Sequence, residues 1–265
     1  MKKLPLIVLF AAASLLAACG GKAPSAPAPS YDPNALPTGA PGQAIRYGRE
    51  LIMHTRKYLK PYITSNMDCA ACHVDGGTKA RGGTFIGTAA TFPQWNKRAK
   101  RMITLHDRLA ECFLYSMNGH PPPYQSREMV AMVSYITYLS RGVKIGTPQE
   151  KSIRLVQFDP PKPASAEHGA QLYAQKCSAC HGANGAGVSD AYPPLWGPKS
   201  FNGGAGMHRL WTMAAFVRYN MPQSAPGTLS DQEAYDVSAY VLSHERPKFN
   251  KTRQVAFPEQ TAGYF

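Results

Sequence analysis

Acidic residues are scarce in this chain: 16 Asp and Glu stand against 29 Lys and Arg in 265 residues, a formal charge of +13. That deficit leaves a positive field suited to small anions or an acidic partner. Nucleic acid is excluded as the target, because no binding motif for it accompanies the charge. Long apolar runs are also missing. The conspicuous one, residues 4–16, follows Met1, Lys2 and Lys3 and is too short to span a bilayer. A positive end, a short apolar stretch and small residues before a cut make a signal peptide, expected over residues 1–18. Losing Lys2 and Lys3 with it takes the charge from +13 to +11. A nucleotide-binding glycine fingerprint is absent as well: residues 74–91 are rich in Gly and Thr, but no strand precedes them and the spacing is incomplete. They read as a loop.

Cysteine is sparse, and its placement is informative. Four of the six occur in Cys69-Ala70-Ala71-Cys72-His73 and Cys177-Ser178-Ala179-Cys180-His181. Two thiols three positions apart with an imidazole directly after them form the attachment pattern of c-type haem. The sulfurs make thioethers to the porphyrin and the His ligates the iron. A four-Cys zinc site would not explain a His after both pairs. The sequence therefore implies two covalently bound haem c groups (iron). The motifs lie 108 positions apart (69 to 177), which favours two domains, each small enough that the porphyrin is part of its core. A fifth cysteine ends Leu16-Ala17-Ala18-Cys19, which resembles a bacterial lipobox with Cys19 as the lipidated first residue; ordinary cleavage after Ala18 would leave it a free thiol. Either way the expected location is the periplasmic side of a bacterial membrane, anchored to that membrane by lipid on Cys19 or else soluble. Cys112 is left over. A disulfide to Cys19 would compete with lipidation, so the spare thiol needs its own explanation.

The fold class expected is all-α, two tandem cytochrome c domains with one haem each. Residues 19–42, dominated by Pro, Ala, Gly and Ser, read as a disordered tether. The N-terminal domain is expected over 43–141, a Pro-rich connector over 142–165, the C-terminal domain over 166–246 and a tail over 247–265. Within the first domain, helical spacing runs over 43–60 until Pro61. The basic cluster Lys97-Arg98-Ala99-Lys100-Arg101 leads to Thr104, a helix cap with Asp107 at the third helical position. Steps of four along that helix make Arg108, Cys112 and Ser116 neighbours. Another helix starts at Ser126. In the second domain helices are expected over 166–176 and 207–219, and Ser230 with Glu233 forms a capping box for the last one. The caps Ser126 and Ser230 are 104 positions apart, and Val133-Ser134 falls on Val237-Ser238 at that offset, which indicates a duplicated unit. Residues 151–158 of the connector are expected to pack across both domains.

His73 and His181 take one face of each iron, and the other face needs Met, His, Lys or Cys. In the second domain Met221, before Pro222, has the expected position, with Met207 and Met213 as weaker rivals. In the first domain the residues leave Cys112, Met117, His106 and His120 open: the 104-residue offset maps Met221 onto Met117, while a thiolate at Cys112 would be the stronger donor.

The segment from Arg108-Leu109-Ala110-Glu111-Cys112-Phe113 into Ser116-Met117-Asn118-Gly119 resembles the active-site helix of the dihaem thiosulfate dehydrogenases (tetrathionate-forming), a family that includes tetrathionate reductases. The likeness extends to Pro193-Pro194-Leu195-Trp196-Gly197, Ser200-Phe201-Asn202, Gly204-Ala205-Gly206-Met207 and Glu233-Ala234-Tyr235-Asp236-Val237, and covers most of residues 47–247. The resemblance implies His73 and Cys112 on the first iron and His181 and Met221 on the second. It implies an enzyme that joins two thiosulfate ions into tetrathionate and passes two electrons to a small c-type cytochrome or other redox partner, some members running the reaction mainly backwards. Arg98, Arg108 and Ser116 match family positions near the first haem and would offset the repulsion of two dianions, with Cys112 as a nucleophile as well as a ligand. Some members carry a Lys before the Met ligand; Asn220 stands there in this chain. Two other readings remain: a dihaem carrier with Met117 and Met221 as matched ligands and no substrate, and a cytochrome that loads thiosulfate onto a carrier protein.

Overall fold

Each half of the molecule is framed by two helices that cross where a side chain is missing. The computed structural model describes residues 30–189 and 191–249. Helix α1 (Gly39–Met53) packs on α3 (Arg127–Tyr138), and α4 (Ala166–Lys176) packs on α6 (Asp231–Ser243). Between them lie α2 (Leu105–Tyr115) and α5 (Leu210–Asn220). At the first crossing a Cβ on Gly48 would sit 2.0 Å from the Ala131 carbonyl oxygen; at the second, a Cβ on Gly169 would sit 2.0 Å from that of Asp236. Tyr135 and Tyr240 flank the two contacts in the same way. The duplicated plan is therefore visible in the packing, although its contacts match at an offset of 105 rather than the 104 of the helix caps.

The helix starts follow the chemistry expected of them. Thr104 accepts from the Asp107 amide (3.2 Å) while the Asp107 carboxylate accepts from the Thr104 amide (2.8 Å), and Ser230 with Glu233 repeats the device on α6. Such caps contribute about 1 kcal/mol each. The Asp107 carboxylate also accepts from Tyr124 and faces Arg101, which ties α2 to its surroundings. The core of the first half joins Leu51, Ile52, Phe113, Met129, Met132 and Tyr135.

Three local expectations are corrected. The run over 43–60 is interrupted: α1 ends at Met53, and a single turn, Thr55–Tyr58, follows because His54 leaves the helical region and Thr55 turns its hydroxyl back onto the Leu51 carbonyl. The basic cluster spans the turn of a hairpin, residues 97–100, and its last member Arg101 opens the second strand: β1 (Gln94–Asn96) is antiparallel to β2 (Arg101–Ile103), so the otherwise helical fold carries one small sheet among the described residues. The tether of 19–42 is not free over its described part. Tyr31 packs edge-on against Tyr135 and Tyr138, Leu36 joins the core, and residues 39–42 begin α1, where Pro41 in the first turn removes an amide that had no partner anyway. Residues 1–29, including Cys19 and the lipobox, and 250–265 of the tail lie outside the described residues.

The halves are joined by polar contacts as well as by the connector. In the connector, the Ile153 carbonyl accepts from the Arg81 amide (2.6 Å), and the Phe158 carbonyl accepts from Tyr235, so residues 151–158 do touch both halves. Asn202 is fully buried and bonds the end of α2; Asn220, also buried, donates to the Arg81 carbonyl (2.8 Å). No described helix is long and apolar enough to cross a membrane.

Gly48→Ala tests the first crossing. In an unconstrained helix this change stabilises by roughly 0.5–1 kcal/mol. Here overpacking should reverse the sign and cost about 1–3 kcal/mol in denaturant unfolding of the haem-loaded protein. A neutral or stabilising result would mean that the two backbones do not approach this closely.

Candidate active site at the first haem motif

The first motif opens a cleft lined by Met67, Asp68, Cys69, Cys72, His73, Cys112, Ser116 and Met117, with about 320 Å³ of empty space. Two chain segments form it, and they are zipped together below the cleft: the Met117 carbonyl accepts from Thr64 and Ser65, and the Tyr62 carbonyl accepts from His120. Asp68 brings a carboxylate to the rim, but Arg56 holds it through Nη2 (2.8 Å), Nε (2.9 Å) and its own amide (2.8 Å).

The donor set fits haem c. The His73 ring stacks on Phe85 (centroids 4.1 Å apart), and its Nδ1 is bonded to the Gly83 carbonyl, which leaves Nε2 as the free nitrogen for a metal. Burial lowers its pKa to about 4, so the imidazole is neutral, as ligation requires. A Cβ on Gly83 would meet the Cys72 carbonyl oxygen at 2.2 Å, so this holding loop can approach only without a side chain. Burial pushes the Cys69 and Cys72 thiols up to about 12, an environment that favours uncharged sulfur such as a thioether.

Opposite this pair stands α2. It brings Cys112 and Ser116 to the cleft, and Arg108 lies one turn before the thiol. Burial pushes the Cys112 thiol up; Arg108 pulls it down and Glu111 pushes it up again, with burial the largest influence. The neighbouring cation alone therefore does not make a free thiolate. Arg108 pairs with Glu111 at 3.0 Å, its side chain 46% exposed and that of Glu111 only 5%. Glu111 Oε1 in turn accepts from Asn96 Nδ2 (2.9 Å), and Asn96 Oδ1 accepts from the Arg98 and Ala99 amides (2.9 and 3.0 Å). One buried carboxylate thus links the helix that carries Arg108 to the hairpin turn that carries Arg98. The Arg98 guanidinium lies over the Tyr115 ring at 4.3 Å and near Phe249.

Of the four candidates for the sixth position of the first iron, Cys112 and Met117 line the cleft, whereas His106 packs against Tyr124 and His120 against Tyr62. At the second motif, burial lowers the His181 pKa, and its Nδ1 meets the Pro193 carbonyl (3.1 Å), the same arrangement as His73 with Gly83. Met221 follows α5 in extended backbone and is half-buried, while Met213 is enclosed in the core and Met207 packs against it. Sequence reasoning missed Glu111, Asn96 and Tyr115. For Glu111 a signal was present, since a carboxylate between Arg108 and Cys112 has no apolar role there.

Both halves of the chain are similar to known cytochromes. The family described as SoxA/TsdA, cytochrome c domain, matches residues 56–145, and the cytochrome c family matches residues 166–245. A thiosulfate dehydrogenase from Allochromatium vinosum is 39% identical over 82% of this chain and 83% of its own length; one from Stutzerimonas stutzeri is 39% identical over 80% and 71%. Among solved structures, thiosulfate dehydrogenase (TsdBA) from Marichromatium purpuratum in its as-isolated form aligns with a TM-score of 0.77 and 36% identity over 82% of this chain, which spans 49% of that longer one.

Asn96→Ala removes a donor from the buried Glu111 and the acceptor that closes the hairpin turn. Unpairing a buried polar group costs about 1–3 kcal/mol. Amide exchange should quicken at residues 98 and 99, and global stability should fall by that amount; unchanged exchange would show that Asn96 does not hold the turn.

Proposed function

The chain belongs to the thiosulfate dehydrogenase family of dihaem cytochromes c, and we propose that it joins two thiosulfate ions into one tetrathionate and passes the two electrons to a c-type cytochrome. The observation that carries this reading is the presence of Cys112 in the cleft of Cys69, Cys72 and His73, one helical turn after Arg108. A plain electron carrier has no use for a thiol and a cation at that position.

In this reading His73 and Cys112 hold the first iron and His181 and Met221 the second, with thioethers at Cys69, Cys72, Cys177 and Cys180. When bound, the two haems supply one-electron acceptors for the pair of electrons released. The residues of the chain do the rest. Arg108 and Arg98 orient the sulfonate groups and offset the repulsion of two dianions, and Ser116 donates a hydrogen bond from the same helix face. Cys112 Sγ, as thiolate, would join the sulfane sulfur of one thiosulfate as two electrons pass to the bound haems. The sulfane sulfur of the second thiosulfate then attacks the first, breaks the bond to Cys112 and leaves as tetrathionate. Because burial alone keeps this thiol protonated, its charge has to be held by metal or by Arg108, which ties nucleophile and ligand roles to one sulfur.

The domain limits we assign are 39–141, beginning with α1 rather than at the 43 expected from the sequence, and 166–246, with 142–165 as connector. Export by residues 1–18 puts the enzyme on the periplasmic side, where lipid on Cys19 holds it to a membrane.

A second reading has a specific observation behind it: Met117 lines the same cleft and is 3% exposed, so a His/Met first haem in a dihaem carrier is sterically open. Low-temperature electron paramagnetic resonance separates the two. A low-spin thiolate signal belongs to the enzyme, and two His/Met signals belong to the carrier. Cys112→Met should keep both haems and abolish thiosulfate oxidation, assayed with an electron acceptor in one direction and with tetrathionate and a donor in the other. Turnover that survives this substitution would refute the role of Cys112, and a requirement for an added carrier protein would point to thiosulfate loading.

A further inference from the structure

The last four carbonyls of an α-helix have no partner within the helix, and a helix that must hold a ligand in place needs them tied down. In α2 those carbonyls belong to Cys112, Phe113, Leu114 and Tyr115. The first accepts from Ser116 (2.9 Å) and Met117 (3.0 Å), and the second from Gly119 (2.8 Å). The other two are satisfied from the opposite half of the molecule. Asn202 Nδ2 donates to Leu114 O at 2.8 Å, and the Asn202 amide donates to Tyr115 O at 3.2 Å. Its second Nδ2 hydrogen reaches Asn118 Oδ1 (3.2 Å), and its Oδ1 accepts from the Gly204 amide (2.8 Å).

Asn202 is 0% exposed, and its side-chain amide has both donors and its acceptor engaged. Asn118, which it holds, is the left-handed residue (φ 49°) after the helix, and it bonds Thr64 in the strand of chain leading to Cys69. One residue therefore touches the end of the helix bearing Cys112, the turn after it and, through that turn, the segment that enters the first haem motif. The Lys199 carbonyl, three residues earlier, accepts from Asn66 (2.8 Å) in the same segment.

We propose that Asn202, a residue of the second domain, is a positioning residue for the first haem site: by capping α2 it fixes where the Cys112 sulfur stands. The proposal rests on the ligation reading above and adds to it that the first site is incomplete without the second domain. An apolar residue of similar volume fills the same space but cannot donate to Leu114 O or Asn118 Oδ1, so the side chain's hydrogen bonds can be tested apart from its bulk.

The test uses the full haem-loaded chain as Asn202→Leu and Asn202→Ala. Haem content and the thioether-to-iron absorption band of the second haem report folding and loading. Amide exchange over residues 112–120 reports the cap, and electron paramagnetic resonance of the first haem reports the sulfur. The expected result is faster exchange over 112–120, loss of the single thiolate signal to a mixture of signals and an unchanged second-haem band. Thiosulfate turnover should fall roughly a hundredfold, the cost of a misplacement of about 1 Å. Unchanged exchange, or a thiolate signal identical to the parent's, would overturn the proposal; so would loss of both haems in both variants, which would assign Asn202 to general stability. A parent protein without any thiolate signal would sink the ligation reading separately, and the exchange arm would then decide the capping role alone.

Discussion

A thiol in an apolar cleft stays protonated unless something nearby holds its charge, and the first half of this protein is arranged around that cost. Burial pushes Cys112 up, and the cation that pulls it down, Arg108, is shared with Glu111, whose own charge pushes the thiol further up. The net effect favours the neutral thiol, so a charge on this sulfur needs a further partner. Glu111 is then more than a neutral spacer. It pairs with the arginine that pulls the thiol down, and its bond to Asn96 extends the same network to the hairpin that carries Arg98. Arg98 and Arg108 themselves do not line the cleft; the carboxylate joins their supports and leaves about half of the Arg108 side chain exposed.

Much of this was legible in the sequence, because local rules decided it. The span 166–176 was read correctly at both ends, since Ser165 caps it and the haem motif stops it; Thr104 with Asp107 and Ser230 with Glu233 announced two helix starts. Stepping by four from Arg108 put Cys112 and Ser116 on one face, and both line the cleft. What escaped depended on contacts distant in the chain. A run of basic residues gives no period-two signal, so the hairpin of Gln94–Asn96 and Arg101–Ile103 was invisible; it exists because Ile103 is buried and Asn96 finds Glu111. Residues 30–42 looked like solvent-exposed chain on composition, but one Tyr and one Leu sufficed to dock them onto α3 and the core.

Duplication explains the resemblance of the halves, and the contacts between them explain why they are no longer equivalent. Both keep the glycine at the helix crossing and a histidine whose Nδ1 is bonded to a carbonyl ten or so residues on, Gly83 in one case and Pro193 in the other. The helix that carries Cys112 has its counterpart in α5, which ends at Asn220 before Met221. The two ends are treated differently: the first is closed by Asn202 from the other half, and the second reaches into the other half through Asn220, whose Nδ2 donates to the Arg81 carbonyl.

That exchange of buried amides fixes the loop that holds the first haem-motif histidine. Arg81 stands two residues before Gly83, whose carbonyl holds His73, and its amide is bonded to Ile153 in the connector while its guanidinium lies 4.4 Å from the Tyr219 ring centre. The loop behind the first haem histidine is therefore fixed by the residue adjacent to Met221, by its neighbour in the same helix and by the connector. Buried hydrogen bonds of this kind are costly to leave unmade, so relative movement of the halves would expose several unpaired groups at once. The two haem motifs are therefore held in one fixed relation by the protein itself, through Asn220, Tyr219 and the connector.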